Sequence, residues 1–381
     1  MTSRERLLAA IGHREADRVP VSPRVGAFLR EYYGHGGWLY ELKAAQEFGY
    51  DPLVTLEVPY PNYVPGFTAS GEDLEDVKIE LRIERQGEST RFARHIQTPA
   101  GPLTDVIRRY PAGREFGAFP NPVWEERLVK DEADLERLAF LSPQPEAAAF
   151  APLFEIQSAV GDRGLMQLHI DSAIDHRAGW AYEVVDMMVA AYEQPEFLHR
   201  LLGLFHGETM ALTRCALEAG IEVIFTSWYF ASLSAGWSPR LYHDLFLPLL
   251  REQVDLVHSY GRLYHYYDDG KCALILPWLA DVGVDVLSTL PPPPMGDTPL
   301  KEAKAAVGDR ICLNGNIDLV NVLMLSTPEA VRESVRQAIL DAAPGGGFIL
   351  GTSDSIRDAP LENVRAYFQA ARDYGRYSHL G

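Results

Sequence analysis

The chain alternates, from about residue 164 onward, between short runs that are almost wholly apolar and longer runs with apolar residues three and four apart. The apolar runs are Leu165-Met166-Gln167-Leu168-His169-Ile170-Asp171, Glu222-Val223-Ile224-Phe225-Thr226-Ser227-Trp228, Arg262-Leu263-Tyr264-His265-Tyr266-Tyr267, Val284-Asp285-Val286-Leu287-Ser288-Thr289, Arg310-Ile311-Cys312-Leu313-Asn314-Gly315 and Gly347-Phe348-Ile349-Leu350-Gly351. Runs of this length, apolar on both faces, predict strands covered on both sides, as in a parallel sheet. The intervening stretches carry helix signals, such as Thr327-Pro328-Glu329, with a capping residue followed by proline at the first helical position. Two further strands fit upstream, at Arg18-Val19-Pro20-Val21-Ser22 and Pro52-Leu53-Val54-Thr55-Leu56. Eight parallel strands with intervening helices predict an α/β fold, a closed (β/α)8 TIM barrel. A doubly wound open sheet is the structural alternative, but no GxGxxG follows any early strand to support a dinucleotide site.

Between the second and third of these strands the period changes to two. Residues 77–110 alternate apolar and polar, with turns at Gln86-Gly87-Glu88 and Pro99-Ala100-Gly101-Pro102. This predicts an antiparallel β-meander inserted at about residues 70–125 of a single barrel domain spanning 1–381. An insertion after a barrel strand lies on the face where barrels place their chemistry. Pro291-Pro292-Pro293-Pro294 is a stiff loop expected on the same face.

Charge and composition narrow the partners. The 381 residues carry a formal net charge of -18, which repels nucleic acid and anionic membrane. No apolar run is long enough to span a bilayer. The chain opens on Thr2-Ser3-Arg4-Glu5, a helix-capping sequence rather than a signal pattern, and a cytoplasmic enzyme is expected. The three cysteines, Cys215, Cys272 and Cys312, are too scattered for a disulfide framework or a CxxC zinc site. A small-molecule substrate is expected, with a homodimer as a further candidate assembly.

Side chains at the C-terminal ends of parallel barrel strands face the active site. The strands here end on Arg24, Glu57, His169, Asp171, Ser227, His265, Tyr267, Asp268, Asp269 and Asp354. Carboxylates and imidazoles gathered in one mouth suit a divalent metal such as Zn, Mn or Fe, with Asp269, Asp354 and His265 as candidate ligands. The alternative is that the carboxylates pair with Arg24, Arg177 or Lys271 and hold no metal. His265 and Tyr267 share one face of their strand, as His169 and Asp171 share one of theirs. A strand histidine of this kind is also a common hydrogen-bonded core residue. The aromatics around Trp228 and Tyr264 either stack a flat ligand or pack the barrel against its helices.

Several segments together resemble the uroporphyrinogen decarboxylase superfamily, which also holds zinc-dependent methyltransferases that act with corrinoid proteins. They are Arg4-Glu5-Arg6-Leu7-Leu8-Ala9-Ala10-Ile11 with Asp17-Arg18-Val19-Pro20-Val21, then Phe225-Thr226-Ser227-Trp228, then Asn314-Gly315-Asn316-Ile317-Asp318, Gly345-Gly346-Gly347-Phe348-Ile349-Leu350 and Pro360-Leu361-Glu362-Asn363-Val364. The resemblance runs over nearly the whole chain and implies the same barrel. In the decarboxylases an arginine pair follows strand one; Arg24 and Arg30 lie there, without the usual Arg-Gln-Ala-Gly-Arg run. Glu57 takes the place of the catalytic aspartate after strand two, Ser227 matches a substrate-contacting serine, and Asp354 replaces a histidine.

In the methyltransferases a His-x-Cys after strand five and a Cys after strand eight bind zinc. Tyr267, Asp269 and Asp354 fall on those positions, so oxygen donors replace the soft ligands. The Thr98-Pro99-Ala100-Gly101-Pro102-Leu103 turn resembles the methyltransferase-like branch. The resemblance therefore implies a divergent member of the superfamily. Its first expected activity is methyl transfer or demethylation with a thiol or with a corrinoid supplied by a partner protein. The alternatives are a metal-free decarboxylase of uroporphyrinogen or a smaller acidic ring compound, and a non-catalytic tetrapyrrole- or corrinoid-binding barrel. On these readings Glu57, Asp354 and Tyr267 carry catalysis, while Arg24, Ser227, Trp228, His169 and Asp171 bind substrate.

Overall fold

The computed structural model describes residues 1–381 apart from 62, 65–73, 75, 112–119, 143 and 380–381. The strands are β1 (Leu53–Glu57), β2 (Lys78–Gln86), β3 (Ser89–Thr98), β4 (Gly101–Arg109), β5 (Val123–Glu126), β6 (Leu165–His169), β7 (Val223–Ser227), β8 (Leu263–Asp268), β9 (Val286–Thr289), β10 (Cys312–Ile317) and β11 (Phe348–Thr352). The chain divides into two compact units, one made of Met1–Glu57, Ala147–Ile170 and Thr213–Gly381, the other of Val58–Glu146 and Asp171–Leu212.

The first unit contains a seven-stranded sheet in the order β1-β6-β7-β8-β9-β10-β11, with every neighbouring pair parallel. The expected strand over residues 18–22 shrinks to a single bridge, Val21 to Leu350. Pro20 and Pro23 flank it and cannot donate ladder hydrogen bonds, so no longer strand forms. The segment still joins both sheet edges. Ser22 N donates to Leu350 O at 2.8 Å, Leu350 N to Pro20 O at 2.9 Å, and Asp51 N to Val21 O at 2.7 Å. The parallel sheet is thereby closed into the expected barrel.

Side chains two apart on a strand share a face, and along the inward face polarity rises from one end to the other. The floor is apolar: Leu53, Leu165, Val223, Val286, Cys312 and Ile349 form one cluster with Leu7, Ala10 and Ile11 of the helix Ser3–Ile11. That helix starts on the expected capping box, with Glu5 N donating to Thr2 Oγ1 at 3.2 Å and Thr2 N to Glu5 Oε2 at 2.9 Å. It plugs the barrel from below.

One step higher, the interior is polar. His265 Nδ1 lies 2.7 Å from Gln167 Oε1, its Nε2 contacts Ser288 Oγ, and Gln167 Nε2 donates to Thr55 Oγ1 at 2.8 Å. Burial, with Arg24 adding repulsion, pushes the His265 imidazole down to about 3. The ring is a neutral cross-brace between strands.

The residues between these point outward. Tyr264 Oη donates to Gln253 Oε1 of the helix Leu247–Ser259 at 2.8 Å, and Tyr266 Oη pairs with Tyr242 Oη at 3.0 Å. The glycine turn before β11 is left-handed throughout, and a Cβ on Gly346 (φ +76) would stand 2.6 Å from the backbone of Arg14. Only glycine fits there.

The second unit contains the expected meander as the four-stranded antiparallel sheet β2-β3-β4-β5. Both expected turns fall where the strands reverse, at 87–88 and 99–100. Residues 70–73, 75 and 112–119 of the expected insertion lie outside the described residues. β5 carries only Val123-Trp124-Glu125-Glu126, too short for a periodic signal. A buried ion pair, Arg94 Nε to Asp105 Oδ1 at 2.7 Å, links β3 to β4. This unit also takes in Asp171–Leu212, which the meander pattern did not include. No helix among the described residues is long and apolar enough to cross a membrane.

Two measurements check this account. Asp51 is fully buried and bonds Arg6, Arg18 and the backbone of Val21. Asp51→Asn leaves two guanidiniums short of a buried counter-charge and should lower unfolding free energy by about 3–5 kcal/mol in urea titration. Asp373→Asn, which breaks an exposed pair with Arg332, should cost less than about 1 kcal/mol. The second measurement is pH dependence. The unfolded chain protonates His265 below its ordinary 6.5, while the fold resists until about 3. Stability from this group is therefore complete above pH 6.5 and is lost as pH falls toward 3. A His265→Gln variant should show a shallower acid slope, by up to about 1.4 kcal/mol per pH unit.

Candidate active site

All barrel strands run parallel, so their C-terminal ends open on one mouth. β1 ends at Glu57, β6 at His169 and β7 at Ser227. Asp269 follows β8 by one residue and Asp354 follows β11 by two. The structure therefore brings Glu57, His169, Ser227, Tyr267, Asp269 and Asp354 to the same end of the barrel, with Arg24 just beyond the closing segment.

Arg24 is the centre of this group. Its guanidinium carbon lies 4.3 Å from the centroid of the Tyr267 ring, a cation–π contact. Its backbone carbonyl accepts from Ile356 N at 2.8 Å, which ties it to the loop carrying Asp354. The side chain is open to solvent although protein surrounds it, as expected for the wall of a mouth. Burial alone would lower its pKa, but Tyr267, Asp354 and Asp269 outweigh burial and hold it above the ordinary value.

The acids around it are each placed by a loop. Tyr267 is buried, its phenol is pushed well up by burial, and its hydroxyl donates to Asp269 Oδ2 at 3.2 Å. Burial first, and then repulsion from Asp354, raise the Asp269 carboxyl above its ordinary range. The next residue, Gly270, lies so close to the loop after β7 that a Cβ there would come 2.0 Å from Ser232 Oγ. Lys271 N donates to Ser234 Oγ at 2.8 Å, fixing the same approach. Asp354 Oδ1 accepts from Ser355 N at 2.6 Å, and its Oδ2 pairs with Arg357 Nη1 at 2.5 Å.

At the ends of the neighbouring strands β1 and β6, Glu57 Oε2 meets His169 Nδ1 at 2.8 Å. Glu57 is mostly exposed, with a side-chain exposure of 74%. Phe225 bridges the two halves, its ring 5.4 Å from His169, 4.9 Å from His265 and 5.8 Å from Tyr267. Ser227 is buried at the end of β7, beside Tyr267 in the sheet register.

Two expected placements differ, that of Trp228 and that of a metal. Trp228 is 1% exposed, donates Nε1–H to Tyr264 Oη at 3.0 Å and stacks on Tyr266. Strand alternation turns it away from the mouth when it turns Ser227 inward, so it packs the barrel against its helices. Asp171 belongs to the second unit, where it accepts from His176 Nδ1 at 3.1 Å and lies 3.8 Å from Arg177. Arg177 in turn pairs with Glu208 at 2.6 Å.

The other difference concerns a metal. His265 spends both ring nitrogens on Gln167 and Ser288 inside the barrel. The Tyr267 phenol is held in its protonated form. Among the described residues, no three His, Cys, Asp or Glu side chains are grouped to hold a metal ion. The set Asp269, Asp354 and His265 is thus not assembled, and the residues present do not fit a resident divalent metal.

Sequence reasoning passed over Arg357, which pairs with Asp354 across a non-helical loop where a spacing of three carries no contact signal. It also passed over Gln167 and Ser288 as the partners that decide what His265 can do, since nothing in their spacing marks them.

The comparisons with known proteins agree with this architecture. The family profile "Uroporphyrinogen decarboxylase (URO-D)" matches residues 180–374. The uroporphyrinogen decarboxylase of Alkalilimnicola ehrlichii is 25% identical over 392 residues, covering 98% of this chain and 95% of that one. The uroporphyrinogen decarboxylase of Trichodesmium erythraeum is 27% identical over 327 residues, covering 81% of this chain and 85% of that protein. Among solved structures, a methyltransferase from Methanosarcina mazei shares the fold, with a TM-score of 0.63 at 19% identity over 98% of this chain and 99% of that one. With the profile spanning more than half of its length, the chain belongs to the uroporphyrinogen decarboxylase family, as a divergent member of that superfamily.

Proposed function

We propose that this protein is a metal-independent enzyme that removes carbon dioxide from a small acidic ring compound bound in the barrel mouth. The observation that carries the reading is the Arg24 guanidinium over Tyr267, whose hydroxyl bonds Asp269, with Asp354 on the loop whose Ile356 N–H binds the Arg24 carbonyl. A carboxylate substrate exchanges onto Arg24, as guanidinium forks bind carboxylates. Asp269 keeps its proton above the ordinary carboxylate range and donates it to the ring. Glu57 faces the cationic ring that results, and its charge offsets the developing positive charge. The bond to the departing carboxylate then breaks, its electron pair returns to the ring, and carbon dioxide leaves. A solvent proton then adds to the exocyclic carbon that carried the carboxylate, and the ring returns the first proton to Asp269, so that one proton replaces the carbon dioxide lost. Ser227, at the end of β7, orients the substrate.

The size of the substrate follows from charge. A tetrapyrrole bearing many carboxylates requires several free cations, whereas Arg24 and Arg357 already face carboxylates of the chain itself. The reading therefore favours a ring with few carboxylates over uroporphyrinogen.

Methyl transfer to a thiol or corrinoid acceptor is the second reading. It is favoured by one observation: Asp269 and Asp354 stand together at one mouth although they follow different strands. The cation beside them, however, is Arg24.

Turnover assays separate the two. Purified protein should release carbon dioxide from monocyclic pyrrole or aromatic carboxylic acids faster than it converts uroporphyrinogen to coproporphyrinogen, followed by chromatography. Arg24→Ala and Glu57→Gln should each reduce that turnover roughly 100-fold or more. Demethylation of methylcobalamin in the presence of a thiol, with no decarboxylation of any acid, would replace the first reading by the second.

A further inference from the structure

The antiparallel sheet β2-β3-β4-β5 of the second unit ends on two edge strands. One is β5, four residues long. The other is β2, nine residues long, with β3 as its sheet neighbour among the described residues. A long strand edge presents backbone N–H and C=O groups with which another strand can pair, and natural edges are often blunted by proline or by a bulge. β2, Lys78-Ile79-Glu80-Leu81-Arg82-Ile83-Glu84-Arg85-Gln86, carries no proline, and its register with β3 runs unbroken from Lys78 opposite Gln97 to Gln86 opposite Ser89.

The side chains of β2 sort onto two faces. One face carries Lys78, Glu80, Arg82 and Glu84, with alternating sign. In the single chain these pair two apart, Lys78 Nζ to Glu80 Oε1 at 2.6 Å and Arg82 Nη2 to Glu84 Oε1 at 2.7 Å. The other face carries Ile79, Leu81 and Ile83. Across the sheet it continues into Ile96, Leu103 and Ile107, which are buried, whereas Ile83 at the edge is 57% exposed. The closing pair of a two-residue hairpin exchanges both hydrogen bonds. With Gln86 opposite Ser89, the even-numbered residues therefore bond β3, and the odd-numbered ones turn their N–H and C=O to the open edge.

A second β2 pairing antiparallel at that edge must set odd residues against odd. Centred on Leu81, it sets Leu81 against Leu81 and Ile79 against Ile83 on the apolar face. On the charged face it sets Glu80 against Arg82 and Lys78 against Glu84, and two-fold symmetry makes each of these pairs twice. Moving the centre to Glu80 sets Glu80 against Glu80 and Lys78 against Arg82. Moving it to Arg82 sets Arg82 against Arg82 and Glu80 against Glu84. Like charges directly opposite are destabilising, so the pattern favours the register about Leu81 over both neighbours.

We infer that β2 is an interface for a second copy of this chain, paired antiparallel about Leu81 so that two four-stranded sheets become one of eight strands. Main-chain hydrogen bonds give such a contact its strength, and the alternating charges fix its register and its partner. The assignment rests on this edge alone and is independent of the reaction at the barrel mouth.

Sedimentation velocity on the full chain reads it. Wild type should sediment as a dimer at micromolar concentration. Glu80→Arg sets arginines against each other at two places in the dimer, and Arg82→Glu does the same with glutamates, so each should weaken dimerisation by about 10-fold or more. An equimolar mixture of these two variants should form a one-to-one dimer, because opposite charges then meet at both places. The double variant Glu80→Arg with Arg82→Glu should pair with itself again. The Glu80 and Arg82 side chains are 61% and 79% exposed, so the fold should be unaffected, which circular dichroism checks. A wild-type monomer at that concentration would overturn the inference. So would a dimer that both single variants leave intact, or folded monomeric variants whose mixture stays monomeric.

Discussion

The buried carboxylate of Asp51 is the constraint on which the barrel closes. Its two oxygens hold Arg6 of the floor helix, Arg18 before the closing segment, and the backbone N–H of Val21 within that segment. Arg6 also binds Asp17, whose carboxyl it holds well below its ordinary range. An eighth strand with a full ladder would not need this clamp. The closing segment carries two prolines and contributes only a few backbone hydrogen bonds, so side-chain charge does part of the work that a ladder does elsewhere. Arg24 lies three residues past the clamped Val21. The position of the mouth's central cation is thus set by ion pairs at the level of the barrel floor.

The second organising feature is the polarity gradient along the inward faces of the strands. Apolar residues at the floor pack against the plug helix, a hydrogen-bonded layer of Thr55, Gln167, His265 and Ser288 follows, and charged groups occupy the rim. Each layer suits its depth. Buried polar groups are tolerated only when bonded, and the middle layer bonds its members to one another across strands. The rim can hold charge because water reaches it. That the histidine belongs to the middle layer, neutral and engaged on both nitrogens, removes it from metal chemistry and makes it part of the scaffold under Tyr267.

The rim itself departs from what family resemblance implies at each position where soft metal ligands would stand, and the departures are mutually consistent. Tyrosine and two aspartates replace the ligands, Arg357 pairs with Asp354, and Arg24 lies over the tyrosine ring. A chain with net charge -18 offers no general attraction for anions, so a local guanidinium is the means by which an acidic ligand would be recognised. Glu57 and His169 pair at the ends of the neighbouring strands β1 and β6, and the Phe225 ring lies against both His169 and Tyr267.

Much of this architecture was legible in the sequence, because it depends on patterns of period two and 3.6 that local chemistry enforces. The apolar runs specified the parallel strands, the alternation and turn residues over 77–110 specified the antiparallel sheet, and Thr2 with Glu5 specified the first helix. Strand ends specified which residues reach the mouth. The rest lay in contacts between residues distant in sequence, which no local pattern records. Whether Trp228 or Ser227 faces inward is a matter of sheet register, and a shift of one residue reverses it. Whether His265 can bind a metal depends on Gln167 and Ser288, which are 98 and 23 residues away. Sequence by itself determined the fold and the candidates for the rim; only tertiary structure decided which candidates meet, because charge and hydrogen bonding act through space and not along the chain.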